Sequence, residues 1–220
     1  MGFINIIVDG LLPRICKCCY KPIYYNNYLD GICVFCSLQW SVFPDIKSSR
    51  LLFYERFNGI NYYAVGFRLN DEGSKSIIHR CKYSGNPQLI LQLGVWMAKR
   101  WPAPDSNIVL VPIPLHPLRR LRRGYNQAEK FAMGLSEVWD LEVDTKVLIR
   151  KIHSASLTGS NRSGRAEVLR NVFDTGESSG DNPIILIDDV LTTGATLRAC
   201  REVIEASGRR VVGAVVLALA

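Results

Sequence analysis

Apolar residues are grouped along the chain in a way that separates strands from helices. Short, unbroken apolar runs occur at 108–113 (IVLVPI), 184–187 (IILI) and 211–219 (VVGAVVLAL). Runs this short and this rich in Val and Ile predict strands buried on both faces. A further strand is expected over 142–149, and helices over 126–139 and 196–206, with Gly208 as a stop just past the second. Upstream, 61–69 (NYYAVGFRL) favours strand by its aromatic and β-branched content, closed by Asn70-Asp71-Glu72-Gly73. Residues 74–81 and 87–99 read as helices. The second carries Leu89, Leu93 and Trp96 at three- and four-residue steps and is broken by Pro102 and Pro104. A short helix ended by Pro13 is expected at the start, and a polar, basic, mobile loop over 150–170. Strands alternating with helices predict an α/β fold, a parallel sheet with flanking helices on both faces.

Composition adds limits. The 220 residues suit one medium domain with a small appendage, and 48% hydrophobic with 21% charged residues predicts a packed core. The net charge of +7 favours an anionic partner, a phosphorylated metabolite or nucleic acid, although many proteins carry such a balance without one. The first residues, MGFINIIVDGLLPRIC, lack a basic stretch and a small-residue cleavage site. The apolar run at 211–220 falls short of the roughly 20 residues of a spanning helix, so no membrane span is expected. A cytoplasmic location is the default expectation, and there cysteines stay reduced.

Five of the seven cysteines, Cys16, Cys18, Cys19, Cys33 and Cys36, crowd one stretch. Cys16-x-x-Cys19 and Cys33-x-x-Cys36 are separated by 13 residues. Two such knuckles present four thiolates for a tetrahedral, structural Zn²⁺. A redox pair and an iron–sulfur site use similar spacing, and spacing alone does not choose between Cys18 and Cys19. Residues 1–47 are therefore expected to form an N-terminal helix and zinc-knuckle module, and 48–220 the main domain. Cys81 and Cys200 read as small packed hydrophobes.

The richest segment is 184–196, IILIDDVLTTGAT. A buried strand delivers Asp188 and Asp189 to its carboxyl end, where open α/β sheets bind ligands. Thr192, Thr193, Gly194, Ala195 and Thr196 then open a helix. Small residues let the backbone approach a phosphate, first-turn amides point at it, and the hydroxyls add donors. The carboxylates suit sugar hydroxyls or Mg²⁺. The alternative is an acidic strand end before an ordinary threonine-capped helix. After the strand at 108–113 comes a basic loop with Arg119, Arg120, Arg122 and Arg123, whose forked donors suit phosphate oxygens. A solvated basic turn or a nucleic-acid patch are the other readings. His79, His116 and His153 share no metal or triad spacing. Trp96, Trp101 and Trp139 read as core, and Tyr125 as the best stacking candidate for a base.

The 184–196 segment resembles the 5-phosphoribosyl-1-pyrophosphate (PRPP) signature of type I phosphoribosyltransferases. That resemblance implies a type I phosphoribosyltransferase-like fold, with Asp188 and Asp189 facing the ribose hydroxyls and 192–196 wrapping the 5-phosphate. With VPIPLH, the arginine pairs, RGYNQAEKFA and HRCKYSG at 79–85, the chain is similar to the ComF family of competence-associated proteins. The resemblance implies a pyrophosphate place for the arginine loop, with Lys82 approaching the ligand, and favours Cys16 and Cys19 as zinc ligands. It also implies a hood loop in which Arg162 and Arg165 remain while the family's Gln and Asn positions hold Leu157 and Val168. The function implied is Mg²⁺-dependent PRPP binding in natural competence, handling incoming single-stranded DNA with a helicase-like partner. The alternative is an active phosphoribosyltransferase displacing pyrophosphate at the anomeric carbon in favour of an unnamed acceptor.

Overall fold

The computed structural model describes residues 13–16, 18–23, 31–40, 42–43, 46–83, 85–151, 172–178 and 180–220. Residues 1–12 of the expected first helix and residues 152–170 of the basic loop expected over 150–170, with Arg162 and Arg165, lie outside the described residues; Arg150, placed in that loop, instead ends a strand, Leu148–Arg150.

Four strands form one parallel sheet in the order β1 (Tyr62–Arg68), β6 (Val211–Leu219), β5 (Ile184–Leu191), β2 (Val109–Pro112). Ile184, Ile185, Leu186 and Ile187 are all fully buried, as strands covered on both faces require. The α/β parallel sheet expected from the alternation of elements is present. β5 is longer than its apolar run: pairing with β6 continues through Leu191 and Leu219, so the two aspartates belong to the strand itself.

Helices α1 (Val34–Leu38), α2 (Ile46–Tyr54), α3 (Glu72–Tyr83), α4 (Pro87–Ala98), α5 (Pro117–Arg123), α6 (Gln127–Trp139) and α7 (Ala195–Ala206) complete the described set. Helix α2 crosses the expected boundary between 47 and 48. Caps explain where several begin. Asn86 accepts from the Leu89 amide with Pro87 following, and Asn126 accepts from the Ala128 amide while its own side-chain amide donates to the Ile113 carbonyl at 3.0 Å. That second bond fixes α6 to the end of β2. Helices α4 and α6 pack backbone to backbone. A Cβ on Gly94 would sit 2.5 Å from the Phe131 carbonyl oxygen and 2.9 Å from the Gly134 Cα, so only glycine allows the approach. The tryptophans are core: Trp101 and Trp139 are buried, Trp139 donates to the Ala98 carbonyl, and Trp96 stacks on Phe67.

Two expectations need correction. The basic stretch after β2 is a helix, α5, rather than a loop. His116 caps it through Nδ1, Pro117 opens it, and Gly124 at φ 79° ends it. The single strand expected over 142–149 is broken. Val143 makes an isolated bridge to Leu110, Asp144 then accepts from the Lys146 amide and turns the chain, and only β3 (Leu148–Arg150) is extended again. β3 pairs antiparallel with β4 (Phe173–Thr175) in a separate two-stranded sheet.

Candidate functional site

The carboxyl end of β5 is the centre of the site. β2 ends opposite Ile187, so the next residues of β5 have no strand neighbour on that side. Successive side chains of a strand point to opposite faces, and Asp188 and Asp189 diverge accordingly. Asp189 turns towards the end of α3, where its Oδ2 lies 3.2 Å from Lys82 Nζ and its charge acts on Cys81. Asp188 turns towards α7 and β3, where its charge acts on Cys200 and Arg150. Burial, followed by the Asp189 charge, pushes the Asp188 carboxyl well above the ordinary carboxylate range. Its Oδ1 accepts from the Asp189 amide at 2.8 Å.

The chain then leaves β5 through Thr192 and Thr193, both exposed, and enters α7 at Gly194. Gly194 sits at φ 75°, a left-handed conformation that suits glycine. Behind it stands the Arg56 carbonyl, which also accepts from Arg198 Nη1. Arg56 is itself held by bonds from its guanidinium to the carbonyls of Leu52 and Ala220, each 2.7 Å. Arg201 reinforces the same link through the Asn58 carbonyl at 2.6 Å. The loop over 192–196 therefore has a fixed rear wall, while its front offers two hydroxyls and the first-turn amides of α7, of which Ala195 N–H is turned towards Thr193 Oγ1 at 3.4 Å.

The arginines of α5 divide their attention. Arg120 pairs with Glu129 at 3.7 Å, on the side of α6. Arg119 stands close enough to Arg150 for their charges to repel. Arg122 and Arg123 lie over the ring of Tyr83, 5.6 and 5.3 Å from its centroid. Arg123 Nη1 also donates to Gln127 Oε1 at 3.0 Å. Arg123 Nε and Gln127 Nε2 are buried with no acceptor among the described residues. Such donors call for one, and an anion's oxygens would serve. Lys82, Asp189 and the Arg122–Arg123 pair are thus gathered around the last turn of α3, whereas Asp188, Arg119 and Arg150 meet on the other face of β5.

Tyr125, the expected stacking ring, does not serve as one. It is 8% exposed, its hydroxyl donates to the Cys81 carbonyl at 2.8 Å, and burial raises its phenol to about 12. The open ring beside the arginines is Tyr83, 52% exposed. Arg123 beside it pulls that phenol below its ordinary value. Arg150 is the other residue missed as a site group. Its charge is disfavoured by burial and by Arg119, and its guanidinium packs over the Phe173 ring at 5.2 Å. Nothing in its neighbours in sequence marks it, because its place depends on β3 pairing with β4.

The cysteine knuckles form a second centre. The Sγ atoms of Cys16, Cys19, Cys33 and Cys36 all lie within 4.8 Å of one another, with Cys16–Cys36 at 4.0 Å and Cys19–Cys33 at 3.6 Å. A tetrahedral Zn²⁺ with Zn–S near 2.3 Å needs edges of about 3.8 Å. Amides of Cys18, Cys19 and Cys33 point at Cys16 Sγ at 3.4, 3.4 and 3.2 Å. Burial alone would raise that thiol, but the three N–H donors outweigh it and bring it to about 7. Donor set and distances fit a four-thiolate metal site. Cys18 stands outside the four, so of the two candidates it is Cys19 that joins the cluster. Cys81 and Cys200 are buried in the core.

No family model matches the chain. Among curated proteins it is 32% identical over 122 residues to competence protein F of Haemophilus influenzae, covering 54% of this chain and 53% of that protein. It is 33% identical over 126 residues to competence protein ComFC of Bacillus subtilis, covering 56% and 50%. The ComFC of Streptococcus pneumoniae is 34% identical over 100 residues, covering 46% and 43%. The chain spans about half the length of the curated relatives it matches. Among solved structures, a hypoxanthine phosphoribosyltransferase from Staphylococcus aureus aligns at 19% identity and a TM-score of 0.30, over 64% of this chain and 61% of that one, a likeness too slight to fix a ligand. Among the described residues no helix is long and apolar enough to cross a membrane.

Proposed function

We propose that the chain is a ComF-type competence protein, as its similarity to competence protein F and ComFC supports, that it binds PRPP at the end of β5, and that it takes part in handling single-stranded DNA during natural transformation. The observation that supports ligand binding most directly is the splayed Asp188–Asp189 pair followed at once by the braced, Gly194-led start of α7. In this reading the amides and hydroxyls of Thr192, Thr193, Gly194, Ala195 and Thr196 take the 5-phosphate, and the two carboxylates take the ribose hydroxyls. Lys82, Arg119, Arg122 and Arg123 neutralise the pyrophosphate. Lys82 would exchange the Asp189 carboxylate for a phosphate oxygen as the ligand enters. Asp188 and Asp189 would hold Mg²⁺ when it is bound, and it would supply charge neutralisation at the pyrophosphate. Arg162 and Arg165 belong to the hood over the ligand in this scheme.

Residues 1–47 act as a metal module in this proposal and 48–220 as the ligand-binding domain. Four thiolates leave a bound Zn²⁺ no open position, so its contribution is to folding rather than to chemistry. The arginines around Tyr83 supply the positive charge that a DNA strand requires, with a helicase-like protein as the expected partner in uptake.

Calorimetric titration with PRPP, with and without Mg²⁺, tests the ligand reading. Saturable binding that Mg²⁺ strengthens and Asp189→Asn abolishes is expected. No heat with either form of the ligand overturns it. Release of pyrophosphate with an added acceptor would extend the same site to turnover.

A further inference from the structure

The structure points to a stacking ledge for single-stranded nucleic acid along one face of α3, built from Tyr20, Arg80, Tyr83, Arg122 and Arg123; we propose it as the strand-contacting surface. The inference rests on the nucleic-acid part of the function proposed above and gives it a location. Two tyrosines are involved, and both are open: Tyr20 is 53% exposed and Tyr83 is 52% exposed. Each is paired with guanidinium groups. Arg80 lies 5.5 Å from the Tyr20 centroid, and Arg122 and Arg123 lie 5.6 and 5.3 Å from that of Tyr83. Arg80 and Tyr83 are three residues apart on α3, which puts them on the same side of the helix, about 5–6 Å apart at Cβ. The two aromatic stations are therefore neighbours, although one belongs to the cysteine knuckle and the other to the main domain.

A single strand offers this surface what a duplex or a protein does not. Its bases expose π-faces that stack on aromatic rings and on guanidinium planes, and its phosphates pair with the same arginines. In a duplex those faces are already covered by neighbouring bases. The ledge is also rigid from beneath, because the Cys81 carbonyl of α3 accepts the buried Tyr125 hydroxyl.

The conformation of Tyr20 is a separate observation in favour of a role for its ring. It occupies the turn of the first knuckle, with its amide donating to the Cys16 carbonyl, at φ 60°. A bulky side chain is costly in that left-handed region, where glycine is the easy choice. An aromatic ring is held there against its backbone preference, which is typical of positions where the side chain is needed.

This mismatch provides the test. Tyr20→Gly removes the ring while relieving the backbone, so the variant is expected to fold and keep its metal. Tyr83→Ala removes an exposed ring at a helix end. Binding of a fluorescently labelled oligodeoxynucleotide is measured by anisotropy, with the same sequence as duplex for comparison, and metal content and PRPP titration as controls. Each variant is expected to weaken single-strand binding by about 5- to 150-fold, the loss of one stacked base. Tyr20→Phe and Tyr83→Phe should retain it, and PRPP heats of Tyr20→Gly, whose ring touches none of the residues assigned to PRPP, should not change. Wild-type binding that survives both ring deletions, or that prefers duplex, overturns the ledge while leaving DNA handling in place. Absence of wild-type binding removes both the ledge and the DNA-handling role, and leaves the PRPP site to its own titration.

Discussion

Replacing Gly194 with alanine separates the loop's rear wall from its conformational preference. Gly194 is at φ 75°, where a Cβ costs about 1 kcal/mol or more. The added Cβ would also press on the Arg56 carbonyl, lying 2.9 Å from its carbon and 2.8 Å from Arg198 Nη1. Ordinary carbon contacts begin near 3.5 Å, so the wall would have to retreat by roughly 1 Å. Arg56 is tied by four hydrogen bonds, two from its guanidinium, one from its amide to the Phe53 carbonyl and one to its own carbonyl, and cannot retreat freely. Overpacking of this kind adds about 1–3 kcal/mol, for a total near 2–4 kcal/mol. At roughly 2–4 °C per kcal/mol for a chain of this size, Tm should fall by about 4–16 °C. Gly208→Ala calibrates the measurement. Gly208 has φ 87°, and a Cβ there would meet nothing within 4 Å, so it carries the conformational share alone. Differential scanning calorimetry of both variants decides the matter. If Gly194→Ala is no worse than Gly208→Ala, Arg56 does not wall the loop and the reasoning fails. PRPP heats for Gly194→Ala should also be lost under conditions where the variant is still folded.

Other expectations follow from the same geometry. Asp188 is partly buried beside Asp189, and desolvation raises its carboxyl, so its ionisation opposes folding as pH climbs from the ordinary value near 4 through the raised one. Asp188→Asn should therefore raise Tm of the ligand-free protein at pH 7, and the gain should disappear towards pH 4; a gain independent of pH would contradict the assignment. Elemental analysis should find one Zn²⁺ per chain, lost in Cys16→Ser and retained in Cys18→Ser, since Cys18 stands outside the four-sulfur cluster. Stripping that metal with a strong chelator should lower Tm, because binding energy in such a module is folding energy. Gly94→Ala should cost about 1–3 kcal/mol in urea denaturation by forcing α4 and α6 apart, and an unchanged midpoint would mean that the helices slide without cost.

The parts of this molecule that are local in sequence are legible in it. The strand at 184–187, the acidic pair and the small-residue helix start are contiguous, and each follows from neighbouring residues. The cysteine spacing likewise brings four sulfurs together, and the structure adds the choice of Cys19 over Cys18. Helix α5 carries its own signals too, Pro117 at its first position and Gly124 just past its end, but the run of arginines between them obscures the pattern. Asp144 gives a similar warning that 142–149 turns. What cannot be read is long-range. Arg150 reaches Asp188 only because β3 pairs with a strand some 20 residues later, and Tyr83 stands under Arg122 and Arg123 because α3 and α5 meet in space. Tyr125 reads as the aromatic partner since it follows the arginines directly, but the same turn that places it next to them also carries it into the core.

The Arg56 brace has a consequence for anyone wishing to move this loop. Strand β5 and helix α7 form a contiguous cassette, 184–206. Its rear wall, however, is written about 140 residues earlier, in the link between α2 and β1. A transplant of the cassette alone would arrive with Gly194 facing a space and Arg198 and Arg201 without their carbonyl acceptors. The transferable unit is discontinuous, and a recipient scaffold must receive the segment around 52–59 along with it.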